Sequence, residues 1–202
     1  RLSIAEWNEK LLNSAQNYDL VGICRCLKNG VNMNARDKKG RTALMYISRT
    51  ETSKLSSQLM LLELAKKMVE YGADVNVADN SGFTALMLAS KCGFYKIAQY
   101  LLEKGANINA KDDIGETPLM FASFSGNFEL VRFLTIRGAN VNAKTNNGGS
   151  ALDIALAKWH LKIATFLMAR SGVTIFGGGI MSNETNEIAM ELASYLTNDG
   201  ID

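Results

Sequence analysis

One histidine, His160, one proline, Pro118, and three cysteines are all that 202 residues supply of three residue types on which much protein chemistry rests. With a single imidazole and no Cys-x-x-Cys pair, a structural zinc site lacks its donors. A nucleophile likewise lacks the base and the orienting group that would activate it. The chain therefore reads as a non-enzyme, with no catalytic residues, no cofactor and no metal. Cys24, Cys26 and Cys92 are odd in number and show no disulfide framework. Cys24 and Cys26, two positions apart in a predicted helix, face different directions, so reduced thiols are expected. No apolar stretch approaches the roughly 18 residues of a membrane span. The segment from Arg1 to Glu9 lacks the apolar core of a secretory signal, and a cytoplasmic chain is expected, the alternative being a secreted or periplasmic one whose N-terminus has been processed. Charge is nearly balanced, with 22 basic against 20 acidic residues, and no basic run exceeds two. That balance gives little support to a nucleic-acid surface, and no nucleic-acid partner is expected.

What the chain does have is a period. Asp79, Gly82, Thr84, Leu86, Ala89, Gly93, Leu101, Gly105, Ala106, Asn107 and Asn109 recur 33 residues later as Asp112, Gly115, Thr117, Leu119, Ala122, Gly126, Leu134, Gly138, Ala139, Asn140 and Asn142. Self-similarity at such a period signals a stacked array of supersecondary units. Each unit reads as helix, turn, helix and extended loop. Thr117 is placed to cap a helix whose first position is Pro118, where a missing N–H costs nothing. Gly126 stops that helix, and a second follows from Asn127, with Leu130, Val131, Phe133 and Leu134 at helical spacing until Gly138. Two helices this short cannot stand alone, so each pair needs neighbours.

The organisation follows from the period. Residues 1–36 form an N-terminal capping unit without the opening hairpin, Trp7 and Ile4 covering its open end. Residues 37–78 are a repeat with a nine-residue insertion at about 50–58, placing the start of the second helix one to two turns early. Residues 79–111 and 112–144 are the regular pair. Residues 145–175 are a last repeat, with Trp159 where the others have glycine and a late closing Gly172. Residues 176–202 are a Gly-rich bend, Phe176 to Gly179, followed by a capping helix over 183–197. The bend lacks the strand and Lys partner of a phosphate loop and reads as a hinge. Met45, Met87 and Met120 share one repeat position and read as packing between repeats. Asn32, Asn34, Asn76, Asn107, Asn109, Asn140 and Asn142 read as serving loop backbone rather than a ligand.

Thr117, Pro118, Leu119, Met120, Phe121 and Ala122 closely resemble the ankyrin signature, with Met120 where the family usually has His. The Ala-Leu-Met variant is similar to that of bacterial ankyrin proteins. The resemblance covers roughly residues 11–173. It implies an all-α ankyrin-repeat solenoid of about five helix-turn-helix repeats with β-hairpin-like loops and helical caps. It also implies a structural role for His160, and a concave groove, lined by hairpin tips and the exposed side of the first helices, that binds another protein. Mapped onto this chain, the groove comprises Lys38, Lys39, Arg41 and Arg49; Asn80, Ser81, Phe83, Lys91 and Cys92; Asp113, Ile114, Glu116, Phe124 and Ser125; and Asn146, Asn147, Gly149 and Lys158. Phe83, Ile114 and Phe124 are apolar where exposure is expected, which favours a protein contact over bare solvation. The implied function is a monomeric protein-interaction module acting as an inhibitor, immunity or regulatory protein, or else the scaffold or targeting part of a larger effector or enzyme.

Overall fold

The computed structural model describes residues 2–49 and 55–172. The first part of the insertion, the bend at Phe176 to Gly179 and the helix expected over 183–197 lie outside the described residues. Among the described residues ten helices follow one another: α1 Ile4–Gln16, α2 Leu20–Leu27, α3 Ala43–Ser48, α4 Leu55–Glu70, α5 Ala85–Lys91, α6 Tyr95–Glu103, α7 Pro118–Phe124, α8 Phe128–Ile136, α9 Ala151–Ala157 and α10 Leu161–Ser171. Among the described residues there is no strand, only an isolated antiparallel bridge between Ala78 and Thr84, so the chain is an all-α solenoid.

The local chemistry is the same in each unit. Thr42, Thr84 and Thr117 sit in extended backbone before α3, α5 and α7, and their hydroxyls accept the N–H groups of Met45, Met87 and Met120. Ser150 and Asp153 form a reciprocal capping box at α9, which satisfies two of the N–H groups that a helix start leaves without partners. Before each threonine cap an aspartate folds the hairpin, and before Ser150 the Thr145 hydroxyl takes its place, accepting from the Gly149 N–H. Oδ1 of Asp79 accepts from Ser81 and Phe83, and Oδ1 of Asp112 accepts from Ile114 and Glu116. Successive hairpins approach closely: a Cβ on Gly82, whose φ is 83°, would lie 2.7 Å from the Asp112 Cα. Glycine is required there by space as well as by conformation.

The array stacks through the first helices, α1 against α3, α3 against α5, α5 against α7 and α7 against α9. Leu86, Leu101, Leu119 and Leu134 are at most 1% exposed. Met45, Met87 and Met120 are equally buried, as their shared register position requires. A second set of contacts crosses the repeats at the asparagines. The Asn76 amide donates to the Gly105 carbonyl and accepts from the Asn107 N–H; the Asn109 amide does the same with Gly138 and Asn140. Asn34 bonds to Gly72 and Asp74 in the same way. Each side chain thus ties one loop to the next.

Two expectations are corrected here. Ile4 is 64% exposed and covers nothing, whereas Trp7 packs half-buried against the core. Apart from α9, which exposes Asp153 and Ala157 in the last repeat, the first helices α3, α5 and α7 present no exposed side, since Ala43–Ser48, Ala85–Ser90 and Pro118–Ser123 are buried throughout. Flanked on both sides by neighbouring repeats, they reach solvent only at their C-terminal ends. The early start of α4 holds: it has 16 residues where α6 and α8 have 9.

Candidate partner-binding face

Three rows of residues define the face. The residue before each cap gives Arg41, Phe83, Glu116 and Gly149. The residue four places after the cap gives Tyr46, Leu88, Phe121 and Ile154, and the helix ends give Arg49, Lys91, Phe124 and Lys158. Contacts tie the rows together. Phe83 and Phe121 meet with ring centroids 5.3 Å apart, and the Arg49 guanidinium lies 5.7 Å from the Tyr46 ring centre. Lys91 and Glu116 interact across repeats as opposite charges.

The second repeat forms the basic end. Lys38 and Lys39 are exposed at the hairpin tip, and Arg41 pairs with the buried Asp79 carboxylate at 3.3 Å. Burial pushes the Asp37 carboxyl up, but hydrogen bonds from the Tyr46 hydroxyl and the Arg41 and Lys39 N–H groups outweigh it and hold the carboxyl below its ordinary range. Repeat four forms the acidic end, where Asp113 and Ile114 stand exposed at the tip. Burial, and then the neighbouring Asp112, raise the Glu116 carboxyl above its usual value.

Between these ends the residues divide into free and occupied. The Asn80 amide donates to the Lys38 carbonyl at 3.1 Å, and the Asn146 amide to the Asp113 carbonyl at 2.9 Å. Both amides brace adjacent hairpins. Ser81 and Asn147 are exposed, and Cys92 is half-buried. The Ser125 hydroxyl, although exposed, donates to the carbonyls of Ala122 and Ser90. Phe83 corrects the expectation of exposure: it is half-buried on Phe121, whose ring comes from the next repeat and removes one face from water. Phe124 meets the expectation at 46% exposed, with the Lys158 ammonium 4.3 Å from its ring centre. Ile114 does so at 57%.

The structure adds residues that the sequence reading did not place on the face. Tyr46 and Gln16 line a recess with the four cations of the second repeat, Gln16 reaching it from α1. Trp159, 62% exposed, holds φ 58° where glycines close the equivalent turns at Gly93 and Gly126. It adjoins Lys158 at the end of α9. A large side chain in the left-handed region, exposed, was signalled by its replacement of a repeat glycine. Next to it, Nε2 of His160 lies 3.2 Å from the Phe124 carbonyl and bridges two turns, a structural role. Among the described residues no group of three His, Cys, Asp or Glu side chains could hold a metal ion, and no helix is long and apolar enough to cross a membrane.

Comparison with known proteins agrees with this geometry. Residues 11–112 match a family model described as ankyrin repeats in three copies, and residues 95–135 and 125–168 one described as ankyrin repeats in many copies. An ankyrin repeat protein of Acanthamoeba polyphaga mimivirus is 35% identical over 79 residues. Those residues are 39% of this chain and 10% of that protein, so the match spans about a tenth of the relative's length.

Proposed function

This chain belongs to the ankyrin-repeat family, whose arrays are in general protein-interaction modules, and from that premise we propose that it binds a partner protein across the face just described and inhibits or regulates it by occupancy. One observation carries the reading. At the end of α7, whose other residues are all buried, and at the hairpin tip before it, Phe124 and Ile114 are held in the open. Large apolar groups fixed on rigid backbone lose little entropy on binding, and anchors of this kind usually dominate interface energy. Trp159 and the Lys158 ammonium enlarge the patch around Phe124. Asp113 and Glu116 disfavour a nucleic acid, because they would repel phosphates. A single chain supplies the whole face, so the binding unit is a monomer. Cys24, Cys26 and Cys92 form no disulfide, which suits a reducing compartment such as the cytoplasm.

The test is affinity capture from native lysate, with the captured protein then titrated against variants. Phe124→Ala and Ile114→Ala should each weaken binding. Leu59→Ala and Met60→Ala, on the exposed side of α4, should leave it unchanged. The opposite pattern would place the site on α4 and its insertion.

A further inference from the structure

At one end of the face, between α1 and the second repeat, lies a recess of about 380 Å³ in which Lys38, Lys39, Arg41 and Arg49 converge around Tyr46, with Asp37 as the sole carboxylate of its lining among the described residues. This is a concentration of charge, since the whole chain carries only +2. Asp37 is held ionised, Oδ1 accepting from the Lys39 and Arg41 N–H groups and Oδ2 from the Tyr46 hydroxyl, and it offsets one of the four positive charges. Arg41 is partly matched by Asp79. Lys38 and Lys39 are exposed, and the planar Arg49 guanidinium is laid beside the Tyr46 ring. A guanidinium oriented in this way suits the bidentate geometry of a carboxylate.

We propose that this recess receives an acidic segment of the partner protein, rich in Asp or Glu, and so sets the direction in which the partner lies on the array. The inference rests on the reading of the face as the binding surface. The charge pattern selects a peptide over a polyanion. Two repeats away on the same face, Asp113 and Glu116 carry the opposite sign, so a uniformly anionic chain would be repelled there. Helices pack about 8–10 Å apart, so two repeats span roughly 16–20 Å, or about five or six extended residues at about 3.3 Å each. The segment therefore carries its acidic residues at the end over the second repeat. Apolar or basic residues follow about five or six positions later, near Phe124 and Glu116.

The experiment is selection of random displayed peptides, about a dozen residues long so as to span two repeats, on the protein and on its Lys38→Glu/Lys39→Glu variant. Both lysine side chains are exposed, and melting curves should overlay. Peptides selected on the protein should be enriched in Asp and Glu. A fluorescein-labelled selected peptide should lose tenfold or more in affinity on the charge-reversed variant, and should weaken as salt is raised. Acidic enrichment that is absent, or that survives the reversal, overturns the recess. If such peptides still depend on Phe124, the face stands as the binding surface. If they depend on neither, or if no peptide is selected, both readings fall. A single-stranded oligonucleotide that binds as tightly as the peptide and is lost on the same reversal would overturn the assignment in favour of nucleic acid.

Discussion

At the scale of single residues, neighbouring phenylalanines on the face have different tasks. Phe83 shares a ring contact with Phe121 of the next repeat, whereas Phe124 carries the Lys158 ammonium over a ring that is nearly half exposed. Phe83→Ala should therefore lower stability by about 1–3 kcal/mol through lost packing between repeats. Phe124→Ala should leave the urea midpoint within about 0.5 kcal/mol of the parent while weakening partner binding by about 2 kcal/mol. Equal stability losses in the two variants would show that Phe124 is also a packing residue. Glu116 makes a separate prediction. Its folded-state pKa is raised, by burial first and by Asp112 second, so its ionised form is costlier in the fold than in the unfolded chain. That cost is fully present above the folded pKa and vanishes as the pH falls below the ordinary Glu value of about 4.3. Glu116→Gln should accordingly melt higher than the parent at pH 7 and at the same temperature at pH 3. A difference that persists at pH 3 would remove the electrostatic explanation.

At the scale of elements, the turns and loops decide what the helices cannot. Helices and their caps were legible in the sequence because cap, stop and apolar spacing lie within one repeat: Thr117, Pro118, Gly126 and Gly138 declare α7 and α8 by themselves. The asparagines were legible as servants of loop backbone. Their bridging role was not, because spacing within a repeat does not reveal that the Gly138 carbonyl stands opposite Asn109. The same gap hid Phe83, whose polar register-mates Arg41 and Glu116 suggested exposure, and whose partner Phe121 is 38 residues on. It also hid Gln16, brought to the basic recess by the packing of α1 on α3. Asn109 tests the bridge. Asn109→Ala leaves the Asn140 N–H and the Gly138 carbonyl without their partner, on a surface where water can partly replace it. It should cost about 1 kcal/mol, whereas the exposed tip residue Asn147 should tolerate alanine with almost no change in urea midpoint. Trp159 tests the turn. A non-glycine residue in the left-handed region is disfavoured by about 1–2 kcal/mol, so Trp159→Gly should raise the melting temperature. If Trp159 belongs to the interface, the same variant should bind the partner less tightly. A stabilised variant with unchanged binding would confine Trp159 to the turn.

At the scale of the whole molecule, stability is the sum of what each helix pair gains from its neighbours, because no pair has a core of its own. The main contacts pass along the row from α1 to α3, α5, α7 and α9. In such a stack, the consequence of a cavity depends on where it cuts the row. Leu119, 1% exposed, lies on α7, the helix that packs against both α5 and α9 and so forms the junction between the repeats on either side. Leu119→Ala removes buried methyl groups at that junction and should cost about 2–5 kcal/mol. The loss falls on coupling as well as on local packing, so the repeats on either side should cease to unfold as one unit. The urea transition should broaden, with an apparent m-value below the parent's, or split in two. Lys91→Ala changes an exposed side chain at the end of α5 and should shift the midpoint by no more than about 0.5 kcal/mol with the m-value intact. Comparable losses in the two variants would mean that Leu119 is not at a junction between repeats. A large loss with an unchanged m-value would mean that the array behaves as one cooperative body rather than as a row of coupled pairs.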